Sequence, residues 1–135
     1  MVLVSACATD LIGDMAASQK LEAARNIVAA VNAKNSEQYV RDLAADVVVA
    51  MYAGDVRLRG RDAVKANREA HFQNFPQARN ALVHLVEIDD RVIMHDQVWL
   101  SDAQAAPADI VEVFTFSDGE IVRIEVIQSN ALFSR

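Results

Sequence analysis

The run ADIVEVFTFSDGEIVRIEVIQ, residues 108–128, decides the fold class. Two segments rich in β-branched and aromatic residues flank Asp118-Gly119, a pair that tolerates the left-handed backbone of a tight hairpin turn. Glu112 stands in the first, otherwise apolar segment. Two registers compete. A two-residue Asp-Gly turn sets Glu112 directly opposite Glu125, an unfavourable like-charge pair. A three-residue Ser-Asp-Gly loop, with Gly119 in the left-handed bulge position, puts Glu112 and Phe114 on one face with Val122, Ile124, Val126 and Gln128. Charge favours the second. Arg123 and Glu125 then share the other face with Val111, Val113 and Ile127, a surface suited to solvent or a second subunit.

Working upstream, the period of two continues through Asn80 to Asp89 and Arg91 to Leu100, so four antiparallel strands are expected, with Ser101 to Pro107 as a small-residue loop. If Asp89-Asp90 is a two-residue turn, Val86 opposes Ile93, Leu82 opposes Gln97 and His84 opposes His95. The two imidazoles would then lie roughly 5 Å apart at Cβ, on the face of Trp99.

Before Pro76 the period is helical. Leu21, Ala24, Val28 and Val31 recur at three- and four-residue spacing with Lys20, Glu22 and Arg25 between them. Asn32 to Asn35 end that helix. Ser36-Glu37 starts a short one whose Val40 and Leu43 face inward. Asp46 to Tyr52 reads as a buried strand, and Gly54-Asp55 turns into a short segment through Leu58. Gly60-Arg-Asp62 opens a third helix with Val64, Arg68, His71, Phe72 and Phe75 along one stripe, and Pro76 stops it. Helices first and a curled antiparallel sheet after them give an α+β fold, the helices covering one sheet face.

At 135 residues with 53% hydrophobic content, two prolines and four glycines, the chain is one compact soluble domain, expected over residues 18–135 after an extension at 1–17. No apolar run approaches the ~18 residues of a spanning helix. A net charge of -6 leaves no basic stripe, so neither nucleic acid nor an anionic membrane surface is an expected partner. The single cysteine, Cys7, excludes an internal disulfide. Val4-Ser5-Ala6-Cys7 has the form of a bacterial lipobox, but no basic residue precedes it and its apolar segment is short. The expected location is cytoplasmic; a lipid anchor on Cys7 is the alternative should the start lie upstream.

In the order of these elements the chain resembles the nuclear transport factor 2-like superfamily, and within it the SnoaL-like branch of small polyketide cyclases and ketosteroid isomerases. The resemblance spans roughly residues 19 to 128. It is carried by Tyr39-Val-Arg-Asp-Leu-Ala-Ala-Asp46 before the first strand, by Gly60-Arg-Asp-Ala-Val64, by Val92-Ile-Met-His-Asp96 and by the closing Val111-to-Gln128 hairpin. It implies a cone-shaped, mostly antiparallel sheet, a cystatin-like roll with three helices over its concave face, around a deep apolar pocket, commonly as a homodimer. It also implies that Glu112 falls where ketosteroid isomerases place the protonated acid of the oxyanion hole. The isomerase base position falls near Met51, which cannot shuttle a proton, and the tyrosine position near Asn26 or Ile27. The closing-strand acid of the cyclases falls near Val126.

The candidate catalytic residues are therefore His95, Glu112 and His84, with Gln97, Trp99, Tyr52, Phe72, His71, Phe114 and Val126 as pocket candidates. An imidazole beside a partly buried carboxylate is a plausible acid/base pair. Ligand spacing does not support a metal triad, and no Gly-rich phosphate loop or nucleophile elbow occurs, so no cofactor or metal is expected. Two functions are consistent with these residues. One is an enzyme moving protons on a small apolar carbonyl or polycyclic substrate. The other is a non-catalytic ligand-binding or accessory protein, dimeric through the outer sheet face.

Overall fold

The computed structural model describes residues 19–129. The expected extension and Cys7 lie outside them. Helix α1 covers residues 19–33 and buries Ala23, Ala24, Ile27, Ala30 and Val31, with Leu21 and Val28 packed at the edges of that stripe. Lys34 takes a left-handed backbone (φ 56°), and Lys34 and Asn35 donate their N–H groups to Val31 and Ala30, a Schellman-type stop. The Asn35 side chain then accepts from the Gln38 N–H at 3.0 Å and starts α2, Ser36–Val40.

Strand β1 runs Leu43–Met51 and β2 Val56–Arg59. Leu43, expected on the inner face of α2, is instead the first residue of β1 and fully buried. Gly60 enters the next helix at φ 93°, a backbone region that only glycine adopts without strain, and its N–H donates to Val47. Helix α3, Arg61–Asn74, has Asp62 in its first turn and ends just before Pro76.

Strands β3 (Arg79–Ile88), β4 (Arg91–Trp99), β5 (Ala108–Ser117) and β6 (Glu120–Gln128) follow. The sheet order is β2-β1-β6-β5-β4-β3, antiparallel throughout except that β1 lies parallel to β6. The six strands form one curved, unclosed sheet with the helices on its concave side. Ile27, Leu43, Val47, Val92, Met94, Phe114, Ile121 and Ile124, each no more than 2% exposed, form the centre of the core. Among the described residues no helix is long and apolar enough to cross a membrane.

Both hairpins differ in detail from the expected registers. Asp118 and Gly119 are both left-handed, and Ser117 pairs with Glu120, so the turn has two residues rather than three. The extra residue sits at Val122, where a bulge shifts the register between Thr115 and Phe116. Glu112 thereby faces Val126 and not Glu125, as charge requires, but the inward position expected for Val122 is taken by Ile121. In the first hairpin His84↔His95 and Val86↔Ile93 pair as expected. A bulge at Val83 then moves Leu82 opposite Asp96 instead of Gln97 and turns Asn80 to the concave side.

Candidate active site

A partly enclosed cavity of about 350 Å³ lies between the helices and the concave sheet face. Its walls are mainly apolar: Ile27 and Val31 from α1, Val64 from α3, and Val98, Ile110, Ile124 and Val126 from the sheet. Into this surface project Glu112 from β5, Tyr39 from α2, and Arg68 and His71 from α3. The alternation of β5 explains the first of these. Ile110, Glu112, Phe114 and Phe116 share the inner face, so Glu112 is aimed inward by the same pleat that buries the phenylalanines.

Glu112 is 7% exposed and has no side-chain hydrogen-bond partner among the described residues. Burial pushes its carboxyl up to about 7; the charge of Asp96 adds to that, and Arg68 draws it back. Asp96 is 1% exposed, and its own carboxyl is also raised by burial. Its Oδ2 accepts from the Asn80 amide at 3.3 Å, while Oδ1 is buried without a partner. Asp96 is a diagonal cross-strand neighbour of Glu112, since Met94 pairs with Glu112 and Asp96 with Ile110. Burial and the charges of Arg68 and Lys34 push His71 down to about 4, so its ring is neutral at physiological pH. Tyr39 is raised well above the ordinary phenol range, by burial first and then by Glu112. A neutral carboxyl of this kind donates a hydrogen bond to a carbonyl oxygen, and its ionised fraction accepts a proton from carbon.

Of the candidates read from sequence, Glu112, His71 and Val126 line the cavity. Phe114 is inward but fully buried in the core beneath it, and Phe72 likewise packs into the core. Tyr52 is 58% exposed in the turn after β1. His84, His95, Gln97 and Trp99 do not reach the cavity. Val92, Met94, Asp96 and Val98 are the buried set of β4, so the odd-numbered residues project from the opposite, convex face. There the His84 and His95 rings lie 5.8 Å apart at their centroids, and His95 Nε2 is 2.8 Å from Asp109 Oδ1. Trp99 is covered by the Arg79 guanidinium, 3.9 Å from its ring centroid. The imidazole and carboxylate expected to act together are on opposite sides of the sheet.

Asp96, Arg68 and Tyr39 belong to the site and were not singled out as site residues from the sequence. Asp96 carried a readable signal, an acid at an even position of the apolar series Val92, Met94, Val98. Arg68 was placed on the inward stripe of α3, but its role depends on Tyr39, 29 positions earlier, whose ring lies 5.4 Å from the guanidinium carbon. Among the described residues no three His, Cys, Asp or Glu side chains are grouped to hold a metal ion.

A model of the SnoaL-like domain matches residues 24–124. Among solved structures, an uncharacterised cystatin-fold protein from Novosphingobium aromaticivorans is 28% identical, with a TM-score of 0.73 over 80% of this chain and 97% of that one. A candidate SnoaL-like polyketide cyclase from Jannaschia sp. CCS1 has 12% identity and a TM-score of 0.71, covering 86% of this chain and 89% of its own. A candidate ketosteroid isomerase from Kribbella flavida has 18% identity and a TM-score of 0.68, covering 83% and 78%. No protein with a curated description matches significantly. The match over most of the chain, on a fold with the same curved sheet and helical cover, establishes the family: the chain belongs to the SnoaL-like domain family of the nuclear transport factor 2-like superfamily.

Proposed function

We propose that the protein catalyses proton transfer on a small apolar carbonyl compound, with Glu112 as the group that holds and moves the proton. The observation that carries this reading is a buried carboxyl, raised to about 7 and free of protein partners among the described residues, in the wall of an apolar cavity. Near neutral pH such a group is populated in both protonation states, so one residue serves as acid toward the carbonyl oxygen and, ionised, as base toward the adjacent carbon. The cavity lies near the lower end of the range for small-molecule sites, which favours a short-chain or single-ring compound.

The test is hydrogen–deuterium exchange α to the carbonyl across a panel of small cyclic and linear ketones and keto carboxylates, followed by NMR in deuterated buffer. Exchange accelerated by the native protein and lowered by about 10²–10⁴ in Glu112→Gln supports the reading. Exchange no faster than in buffer, or unaffected by Glu112→Gln, refutes it. A non-catalytic ligand-binding role is the second reading. It is favoured by the placement of His84 and His95 away from the cavity, which leaves Glu112 without an imidazole partner for ionisation at neutral pH. Thermal stabilisation by a ketone that undergoes no exchange would support that role instead.

We infer further that the partner of the convex sheet face is a second copy of the chain, because Val86 and Ile127 are 47% and 46% exposed there, in a face that also carries Ile93, Val111 and Val113. Light scattering at micromolar concentration should give the mass of a dimer; a monomer refutes it.

A further inference from the structure

We infer that the cavity takes an apolar molecule with one anionic head, a short-chain or single-ring carboxylate, held by Arg68 at the α3 wall while its body lies against Ile27, Val31, Ile110 and Val126. The inference rests on the cavity being the ligand site. It adds the charge of the ligand and the residue that selects it.

Among the arginines with no carboxylate partner in the described residues, Arg68 is the one that lines the cavity; Arg61 of the same helix bonds to the Leu43 carbonyl instead. Arg25 is paired with Glu22, Arg41 with Asp42, and Lys65 with Glu37. Arg68 has no carboxylate within ion-pair distance among the described residues, although it lines the same cavity as Glu112. Its Nε and Nη2 both donate to the neighbouring Asn67 Oδ1, at 3.3 and 2.9 Å, and the guanidinium carbon lies 5.4 Å from the centroid of the Tyr39 ring. These contacts orient the planar fork and leave Nη1 uncommitted among the described residues. A fork held in this way suits a carboxylate, which accepts two parallel charge-assisted hydrogen bonds.

The other charges decide the sign of the ligand. Glu112 faces Tyr39 from α2, Arg68 and His71 from α3 and Asp96 from β4; below about pH 7 it is largely protonated, and His71 is neutral. Asp96 is 1% exposed and lies behind the lining. Lys34 adds positive potential at the His71 end, although its ammonium is bonded to the Val31 and Ala78 carbonyls. Among the described residues the cavity at pH 6 is therefore a mainly apolar space with one cation, Arg68, at its wall that has no carboxylate partner. A cationic ligand meets repulsion there, and a neutral one leaves the fork of Arg68 without an acceptor.

Titration calorimetry at pH 6 with octanoate, octanol and octylamine tests the assignment on the intact chain. Octanoate should bind about tenfold or more tighter than octanol, and octylamine weakest. Arg68→Gln, with folding checked by circular dichroism, should bring octanoate down to the level of octanol, while Arg68→Lys should retain part of the preference. If octanol binds as well as octanoate, or Arg68→Gln leaves their ratio unchanged, the role of Arg68 is overturned and the cavity reading survives. If none of the three binds, both are overturned.

Discussion

Replacing Glu112 by glutamine should change how stability depends on pH, and the size of the change follows from its surroundings. In the unfolded chain the carboxyl titrates near its ordinary 4.5, and in the folded protein at about 7. The native state holds the proton more tightly than the unfolded chain, so folding is penalised as pH rises from 4.5 to 7, and the penalty is absent below that window. At about 1.36 kcal/mol per pK unit the whole penalty is about 3 kcal/mol, most of which develops between pH 5 and pH 8. Glutamine matches the shape of the side chain and does not titrate. Urea unfolding of both proteins at pH 5 and pH 8 isolates the effect, since most other titrating groups are common to the two. The native protein should lose about 2–3 kcal/mol more than Glu112→Gln across that interval, with unchanged urea dependence. Equal losses in the two proteins would show that Glu112 titrates as an exposed acid, and the argument from burial would fail.

Asp96→Asn removes a like charge diagonal to Glu112, so the Glu112 carboxyl, followed by carbon-13 NMR, should titrate below about 7; an unchanged or higher midpoint refutes the coupling. His95→Ala should leave ligand affinity in the cavity within about twofold, because the imidazole is on the convex face bonded to Asp109, and a loss of tenfold or more would contradict that placement. Phe114→Ala should cost about 3–5 kcal/mol in urea unfolding, as expected for a fully buried aromatic ring; a loss below 1 kcal/mol would contradict its position at the core centre.

Local chemistry made the fold legible. Asp118-Gly119 marked the second hairpin, Asp89-Asp90 the first, and Gly60 and Pro76 bracketed α3. That Glu112 does not face Glu125 was also readable from their like charge, although the structure achieves this with a two-residue turn and a bulge at Val122 rather than with a three-residue loop. The error in β4 came from a different source. Its even residues, Val92, Met94, Asp96 and Val98, and its odd ones, Ile93, His95, Gln97 and Trp99, both combine apolar and polar groups, so alternation alone did not say which set faces inward. The pairing with β5 decides it, through Met94 opposite Glu112, but that register is set across Ser101 to Pro107, a stretch too long for turn geometry to fix. The bulges at Val83 and Val122 have no glycine at the extra residue to announce them. Tyr39 and Arg68 meet only through the packing of α2 on α3, which sequence periodicity does not encode.

The central claim, that the concave cavity with Glu112 is the ligand site and the His84-His95 face is not, is tested most directly by methyl NMR during titration with octanoate. The account predicts shifts at Ile27, Val31, Ile110, Ile124 and Val126, around the cavity, and none beyond noise at Ile93, Val111, Val113 and Ile127. Shifts centred on the latter group, or no shifts at saturating ligand, would contradict it.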